Sequence, residues 1–468
     1  MGSNFEDDRR DLALTFEESL IAGSHKYFDT HEFLEIIDFF LDYNENLKAE
    51  KALNASLQQH PYSLEIQLKK ADWLYETNYY DESEELVDMI LEIDGNNPEA
   101  NELKGDLLIH KGEEEAGIVQ LQKSLEYAEE KSELLSKIGI ELMQMNKVDV
   151  ALQFFLRVLD TDFSDESALY NTTYCYELLN EPDKAISFLN KYIDLNPYSQ
   201  IAWHQLGLQY VILKDYRKAI NAFDYAIIVD DAFLGAYYEK AKCSEEIEDY
   251  SKAIEIYKHV QKIADPTAWA YYRLGINFEK LSAYDEALTN YFNAIHEDPM
   301  YASAWCSISR IYSSTGNIEK ALEYAEKSVD IEFDNIEFNM LLANLYMKLS
   351  RFEEAENVYE NLISLEVNEA QVWIEYSVLL KFLKQEEDAL DILVRSLTYF
   401  PENVEVLYRL SGLMFNQGRE LEGIDVLRDA MNIDYEKLEV LKSSFPIVYE
   451  SELVQDLIFA HKHHGKFL

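Results

Sequence analysis

A period of 34 residues constrains this chain more than any other feature. Trp203-x-x-Leu206-Gly207-x-x-Tyr210 is followed by Ala219, Phe223 and Ala226. Tyr271-x-x-Leu274-Gly275-x-x-Phe278 is followed by Ala287, Tyr291, Ala294 and Pro299. The two glycines lie 68 residues apart, twice the period. With Gln200 as position 1, stepping by 34 in both directions frames residues 30–437 as twelve units with no insertion or deletion. Position 20 is small in all twelve, from Ala49, Ser83 and Gly117 to Gly423. Position 8 is small in every unit but the first, where Ile37 stands. Position 11 is large and apolar or aromatic except at Ser244. Helices approach closely only where small side chains face each other, and large ones fill the space beside them. Positions 4, 7, 8 and 11 share one helix face and positions 20, 24 and 27 share another. Each unit is therefore a helical hairpin that buries its face only by stacking on its neighbours. Pro61, Pro197, Pro299 and Pro401 all fall at position 32, where one unit ends and the next begins.

W-x-x-L-G-x-x-Y, then A-x-x-x-F-x-x-A, then P, recurring in register, resembles the tetratricopeptide repeat family across residues 30–437, most strongly from Glu166 to Glu369. The resemblance implies an all-α, right-handed superhelical solenoid of stacked helix-turn-helix hairpins. It further implies a concave groove lined by the first helix of each unit, through positions 2, 5, 9, 12 and 13. The run Tyr27-Phe28-Asp29-Thr30-His31-Glu32-Phe33, followed by Ile36-Ile37-Asp38, is similar to the opening of acidic repeat proteins of Bacteroidetes-type bacteria. Three parts follow: an acidic segment with a capping helix at 1–29, the repeats at 30–437, and capping helices with a His/Lys tail at 438–468. Leu12, Leu14, Phe16, Leu20 and Ile21 suit a leading helix over residues 11–27, and Ser451 suits the cap of a final helix.

Charge narrows the partners. The chain has 89 Asp+Glu against 41 Lys+Arg, and residues 1–130 alone hold 32 acids and 10 bases. That balance disfavours nucleic acid and anionic membrane, which need a basic footprint. No apolar run is free enough of polar residues to span a bilayer, and the opening residues lack a basic signal-peptide region, so a cytoplasmic protein is expected. Cys175, Cys243 and Cys306 form no disulfide framework.

Two groups of side chains fall on the implied groove. Tyr170, His204, Tyr238 and Tyr272 occupy position 5 in four consecutive units, joined by Tyr174 at position 9 and Trp269 at position 2. Aromatic side chains with polar tips suit an extended peptide or a partner helix, and they equally suit packing among themselves. Asp38, Asp72 and Asp106 occupy position 9 of the first three units, and Asp42 and Glu76 stand at position 13 of the first two. They would attract a basic segment, or simply solvate a helix face. The chaperone-binding members of the family use Lys at position 5 and Asn at position 9, a pattern this chain lacks. No nucleotide-binding, metalloprotease or hydrolase motif is present. His461, His463 and His464 could bind a metal but read as a mildly basic tail. The expected protein is a non-catalytic scaffold without metal or cofactor, binding a protein or peptide with a basic segment. The alternatives are a self-associating assembly factor and a regulatory subunit of an enzyme complex.

Overall fold

The computed structural model describes residues 2–22, 26–128, 131–365 and 368–464. Among them there is no strand, and no helix is long and apolar enough to cross a membrane. The architecture is an all-α solenoid. Its helices start every 34 residues: Thr30–Asp42, Leu64–Glu76 and Pro98–His110 open the first three repeats, and Val404–Asn416 opens the twelfth. A second helix follows each, as Tyr216–Val229 follows Gln200–Ile212. Contacts divide the chain into two compact units, Met1–Glu239 and Lys240–Leu468.

The turn inside each hairpin has a common mechanism. Position 15 is left-handed in all twelve repeats, with Asn44 at φ 57°, Lys214 at 58° and Gly316 at 85°. That conformation lets the position 15 and 16 amides reach back to the last helical carbonyls. Lys214 N donates to Val211 O and Asp215 N to Tyr210 O, each at 2.9 Å. The pair satisfies carbonyls that would otherwise be left unpaired at the helix end. Glycine or asparagine fills the site in seven repeats; Lys214, Glu248, Ser282, Ser350 and Lys384 hold it against their own preference. At the other end, Ser63, Asn97, Asp165, Ser199, Thr267, Asn335 and Asn403 accept from the first turn of the following helix.

The small columns have a direct steric cause. Position 8 faces position 24 of its own repeat. A Cβ added to Gly207 would lie 2.4 Å from the Phe223 ring, and one on Gly275 equally close to Tyr291. Three serines in these columns bond the facing helix's backbone, while Ser377 donates to Ile374 O of its own helix at 2.7 Å. Ser309 donates to Ala321 O at 2.7 Å, Ser83 to Ala71 O at 2.7 Å, and Ser411 to Gly423 O at 2.9 Å. The exceptional Ser244 at position 11 is buried and donates to Lys240 O at 2.9 Å. Buried hydroxyls are tolerable when bonded in this way.

The caps differ from expectation in detail. The leading helix spans Gly2–Ala22, starting well before residue 11 and ending before 27. Its Ala13 and Phe16 are buried, with Phe16 against Phe28, just before the first repeat, and Phe33 within it. After the last repeat come a 3-10 turn at Tyr435–Leu438 and helices Glu439–Ser444, Pro446–Tyr449 and Glu452–His464. The Ser451 hydroxyl donates to Val448 O at 2.7 Å, and the Ser451 carbonyl accepts from Gln455 N at 3.0 Å in the first turn of the final helix. His461 stacks on Tyr435 and His463 on Phe459. The side chain of His464 lies outside the described residues.

Candidate functional site

The first helices of repeats 1 to 4 enclose a cleft of about 640 Å³ within the first unit. Six carboxylates line it, Glu65, Asp72, Glu76, Glu99, Glu102 and Asp106, together with Lys69 and Lys137. Leu34, Leu68, Tyr75 and Leu103 supply apolar wall between them.

The register decides which acids are neutralised. In the first four repeats a lysine at position 6 reaches position 9 of the repeat before it, 31 residues back. Lys69 stands at position 6 of repeat 2, and its Nζ is 2.7 Å from Asp38 Oδ1. Lys137 stands at position 6 of repeat 4 and bonds Asp106 Oδ2 at 2.7 Å and Glu102 Oε1 at 2.8 Å. Position 6 of repeat 3 is Leu103, which carries no charge. Asp72, the acid that a lysine at 103 would meet, makes no ion pair among the described residues. It sits between two lysine-held acids, against Tyr75 and Leu103.

Partial burial raises the pKa of Asp72, opposed by the Lys69 charge and reinforced by Glu102. Burial also raises that of Asp106, opposed by Lys137. The Tyr75 phenol is pushed up by the same desolvation and by Asp106. Asp72 feels the Lys69 and Lys137 charges but makes no direct ion pair with either, so a further cation beside it would favour its ionised form.

The aromatic group is placed otherwise. Tyr170, Tyr174, His204 and Tyr238 belong to the first unit, Trp269 and Tyr272 to the second. Tyr170 and Tyr174 are exposed and stack on each other, 6.3 Å between centroids. His204 is half-buried, packed on Phe223 at 5.5 Å and Phe233 at 5.1 Å. Burial lowers its pKa, against the nearby Glu239 charge, so the ring serves as a neutral aromatic. Tyr238 is half-buried and its phenol is raised by burial. Tyr272 packs on Tyr291 at 5.7 Å and Tyr301 at 5.1 Å. Trp269 meets Tyr257 edge-on at 6.0 Å and lies under the Lys242 ammonium at 5.6 Å. His204 and Tyr272 thus seat on positions 24 and 34 of their own repeats.

Position 5 is not uniformly a groove position. In the second unit Cys306, Ile374 and Tyr408 at that position are buried. The Tyr408 hydroxyl is drawn inward to donate to Asp434 O at 3.0 Å. The three cysteines are free and buried, with desolvation raising Cys175 to about 11 and Cys306 to about 12. Among the described residues no group of three or more His, Cys, Asp or Glu is placed to hold a metal ion.

Two further polar devices escaped the sequence reading. At position 4, Trp203 Nε1 donates to Pro197 O at 3.0 Å, Trp305 Nε1 to Pro299 O at 2.9 Å and Gln67 Nε2 to Pro61 O at 2.8 Å, locking each junction. At position 12, Glu177 accepts from Gln209 of the next repeat at 2.6 Å, and Glu245 accepts from Arg273 and Asn277.

Fold and groove together define a helical-hairpin solenoid with a lined inner face. Family models described as tetratricopeptide repeat match residues 41–107 and 312–374, 167–199, and 234–266. Those segments are tetratricopeptide repeats. No curated protein matches it. Among solved structures it is similar to a tetratricopeptide repeat protein from Parabacteroides merdae, at 19% identity over 54% of this chain and 99% of that one, TM-score 0.36. It is also similar to YrrB, described as a TPR protein with an unusual peptide-binding site, at 22% identity over 39% of this chain and 95% of that one, TM-score 0.35. The APC/C hetero-tetramer Cut9-Hcn1 matches at 13% identity over 91% of this chain and 93% of that one, TM-score 0.36.

Proposed function

We propose that the chain is a non-catalytic protein-interaction scaffold whose first unit takes a basic segment of a partner protein in the acidic cleft. The observation that carries this reading is Asp72. The repeat register gives its neighbours Asp38 and Asp106 a lysine each and gives Asp72 a leucine. A partner lysine or arginine would complete the row, with a flanking apolar side chain on Leu68, Tyr75 and Leu103. Exposed Tyr170 and Tyr174 offer an aromatic anchor elsewhere in that unit. The overall acidity disfavours nucleic acid and anionic membrane as partners, and the expected compartment is the cytoplasm.

Fluorescence anisotropy with a labelled peptide of alternating lysine and leucine tests it, with a glutamate–leucine peptide as control. A charge-assisted hydrogen bond contributes about 1.5–3 kcal/mol. The lysine peptide should therefore lose about ten- to a hundredfold in affinity for an Asp72→Asn chain and should be preferred over the glutamate peptide by wild type. Equal binding of both peptides, or no loss in a folded Asp72→Asn chain, would overturn the reading.

A further inference from the structure

The 34-residue register runs on past the last repeat, but the residues no longer suit it. Counted onward from Leu438, position 8 is Phe445 and position 20 is Leu457. All twelve repeats are small at position 20, and eleven are small at position 8. Large side chains at both of these facing positions keep a hairpin from closing. Phe445 is instead buried against Gly412 of repeat 12. Pro446, at position 9, stops the first helix, so Glu439–Ser444 has six residues where Val404–Asn416 has thirteen.

Inside the array, a long side chain at position 7 ties each of several first helices to the second helix before it. Lys70 Nζ of repeat 2 donates to Asn54 Oδ1, at position 25 of repeat 1, at 3.0 Å. Lys104 Nζ of repeat 3 reaches Glu84, at position 21, at 3.0 Å and Asp88, at position 25, at 2.6 Å. The Tyr376 hydroxyl of repeat 11 donates to Glu356 and Glu360, at the same two positions, at 3.4 Å each. After repeat 12 the residue at position 7 is Ser444, too short to make such a tie. Positions 21 and 25 of repeat 12 are Ile424 and Arg428, and they form one wall of an open groove of about 560 Å³. The final helix, Glu452–His464, forms the other wall with Leu453, Leu457 and Ala460. Glu452 and Asp456, one helical turn apart on that wall, make no ion pair among the described residues.

We propose that this groove docks a basic amphipathic helix of a partner protein, in the place where the array would otherwise continue with its next first helix. The groove extends the stacking surface that every earlier repeat uses. Leu453, Leu457 and Ala460 span about 10 Å of helix, which matches apolar anchors at i, i+4 and i+7 on the partner. Lysine or arginine beside those anchors would meet Glu452 and Asp456. A second copy of this chain fits less well. Self-complementary pairing would set the acidic final helix against itself, between chains that each carry a net charge of −48. The groove lies in the second unit, shares no residue with the acidic cleft and does not depend on it.

The test uses the full chain and a peptide of leucine and lysine with helical periodicity, about 18 residues long so that it can form a helix. At saturating peptide, hydrogen exchange should slow about tenfold or more in Glu420–Ile433 and Glu452–His464. Leu453 is 37% exposed, so Leu453→Lys removes an anchor and adds a repelling charge without disturbing the core. It should abolish protection of those two helices. Asp72→Asn should leave that protection in place, which separates this site from the cleft. Unchanged exchange in both helices, or protection that survives Leu453→Lys, overturns the proposal. So does a dimer in sedimentation that Leu453→Lys dissociates, because the groove would then belong to a second copy.

Discussion

Gly275→Ala is the sharpest test of how the repeats pack. The new methyl would lie 2.4 Å from Tyr291 Cε1, 2.5 Å from Cδ1 and 2.9 Å from Cζ, against ordinary contacts beginning at 3.4 Å. The ring would have to withdraw by about 1 Å, the difference between those contacts. It has nowhere to go: Tyr291 is fully buried and its hydroxyl is fixed 2.6 Å from Glu279 Oε2. Overpacking of this kind costs about 1–3 kcal/mol. Replacing glycine by alanine inside a helix returns about 1 kcal/mol. The rigid ring places the steric cost toward the top of its range, so the net loss is about 1–2 kcal/mol. Unfolding of a long repeat array is not two-state, so native-state hydrogen exchange is the suitable assay. Amides of Ala268–Lys280 and Tyr284–Glu297 should exchange about 5- to 30-fold faster. Gly235→Ala is the control, since its Cβ would meet nothing closer than 3.5 Å and should leave exchange unchanged or slower. If Gly275→Ala behaves like Gly235→Ala, close approach of the two helices is not what selects the small column.

Four other outcomes are expected. Lys137→Ala leaves Glu102 and Asp106 without their shared cation, which should lower local stability by about 1–2 kcal/mol, read as faster exchange in Ser132–Gln144, while raising affinity for the lysine–leucine peptide. Burial raises Asp72 and Asp106 in the folded chain, so their contribution to stability is present below the unfolded carboxylate range and is lost as pH rises through the folded values. Peptide binding needs them ionised, so anisotropy should show affinity falling on acidification before ordinary carboxylates titrate, with Asp72→Asn flattening the profile. Glu245→Ala strands Arg273 and Asn277 and should cost about 3 kcal/mol, read as faster exchange in Ala268–Lys280. Lys384→Gly relieves a left-handed residue at φ 62° and should stabilise its hairpin by about 1 kcal/mol, measured by local exchange.

The repeat was readable because its cause is local and periodic. A glycine at 207 and a phenylalanine at 223 meet in the same hairpin, so the column test captures their contact directly. Position 15 was equally periodic in the chain, but lysine, glutamate and serine at five of its sites disguise a turn that depends on backbone conformation rather than residue type. The acidic column Asp38, Asp72 and Asp106 was visible, yet its meaning was not. The lysines that neutralise two of the three stand at position 6 of the following repeat, outside the columns assigned to the groove. Only the helix stacking shows that 69 reaches 38 and 137 reaches 106. The position 5 rings were found as a column, but position alone does not reveal that His204 and Tyr272 are taken up by rings of their own hairpins. Phe445 on Gly412 is the hardest case, because it depends on the chain reversing after the last repeat.

Where a basic segment lands is the central question, and a hydrogen-exchange footprint answers it. With the lysine–leucine peptide at saturation, protection is expected on Leu64–Glu76 and Pro98–His110, the helices that carry Asp72 and Asp106. Protection confined to the second helices Tyr80–Ile93 and Glu114–Tyr127 would contradict it and move recognition to the other face of the repeats.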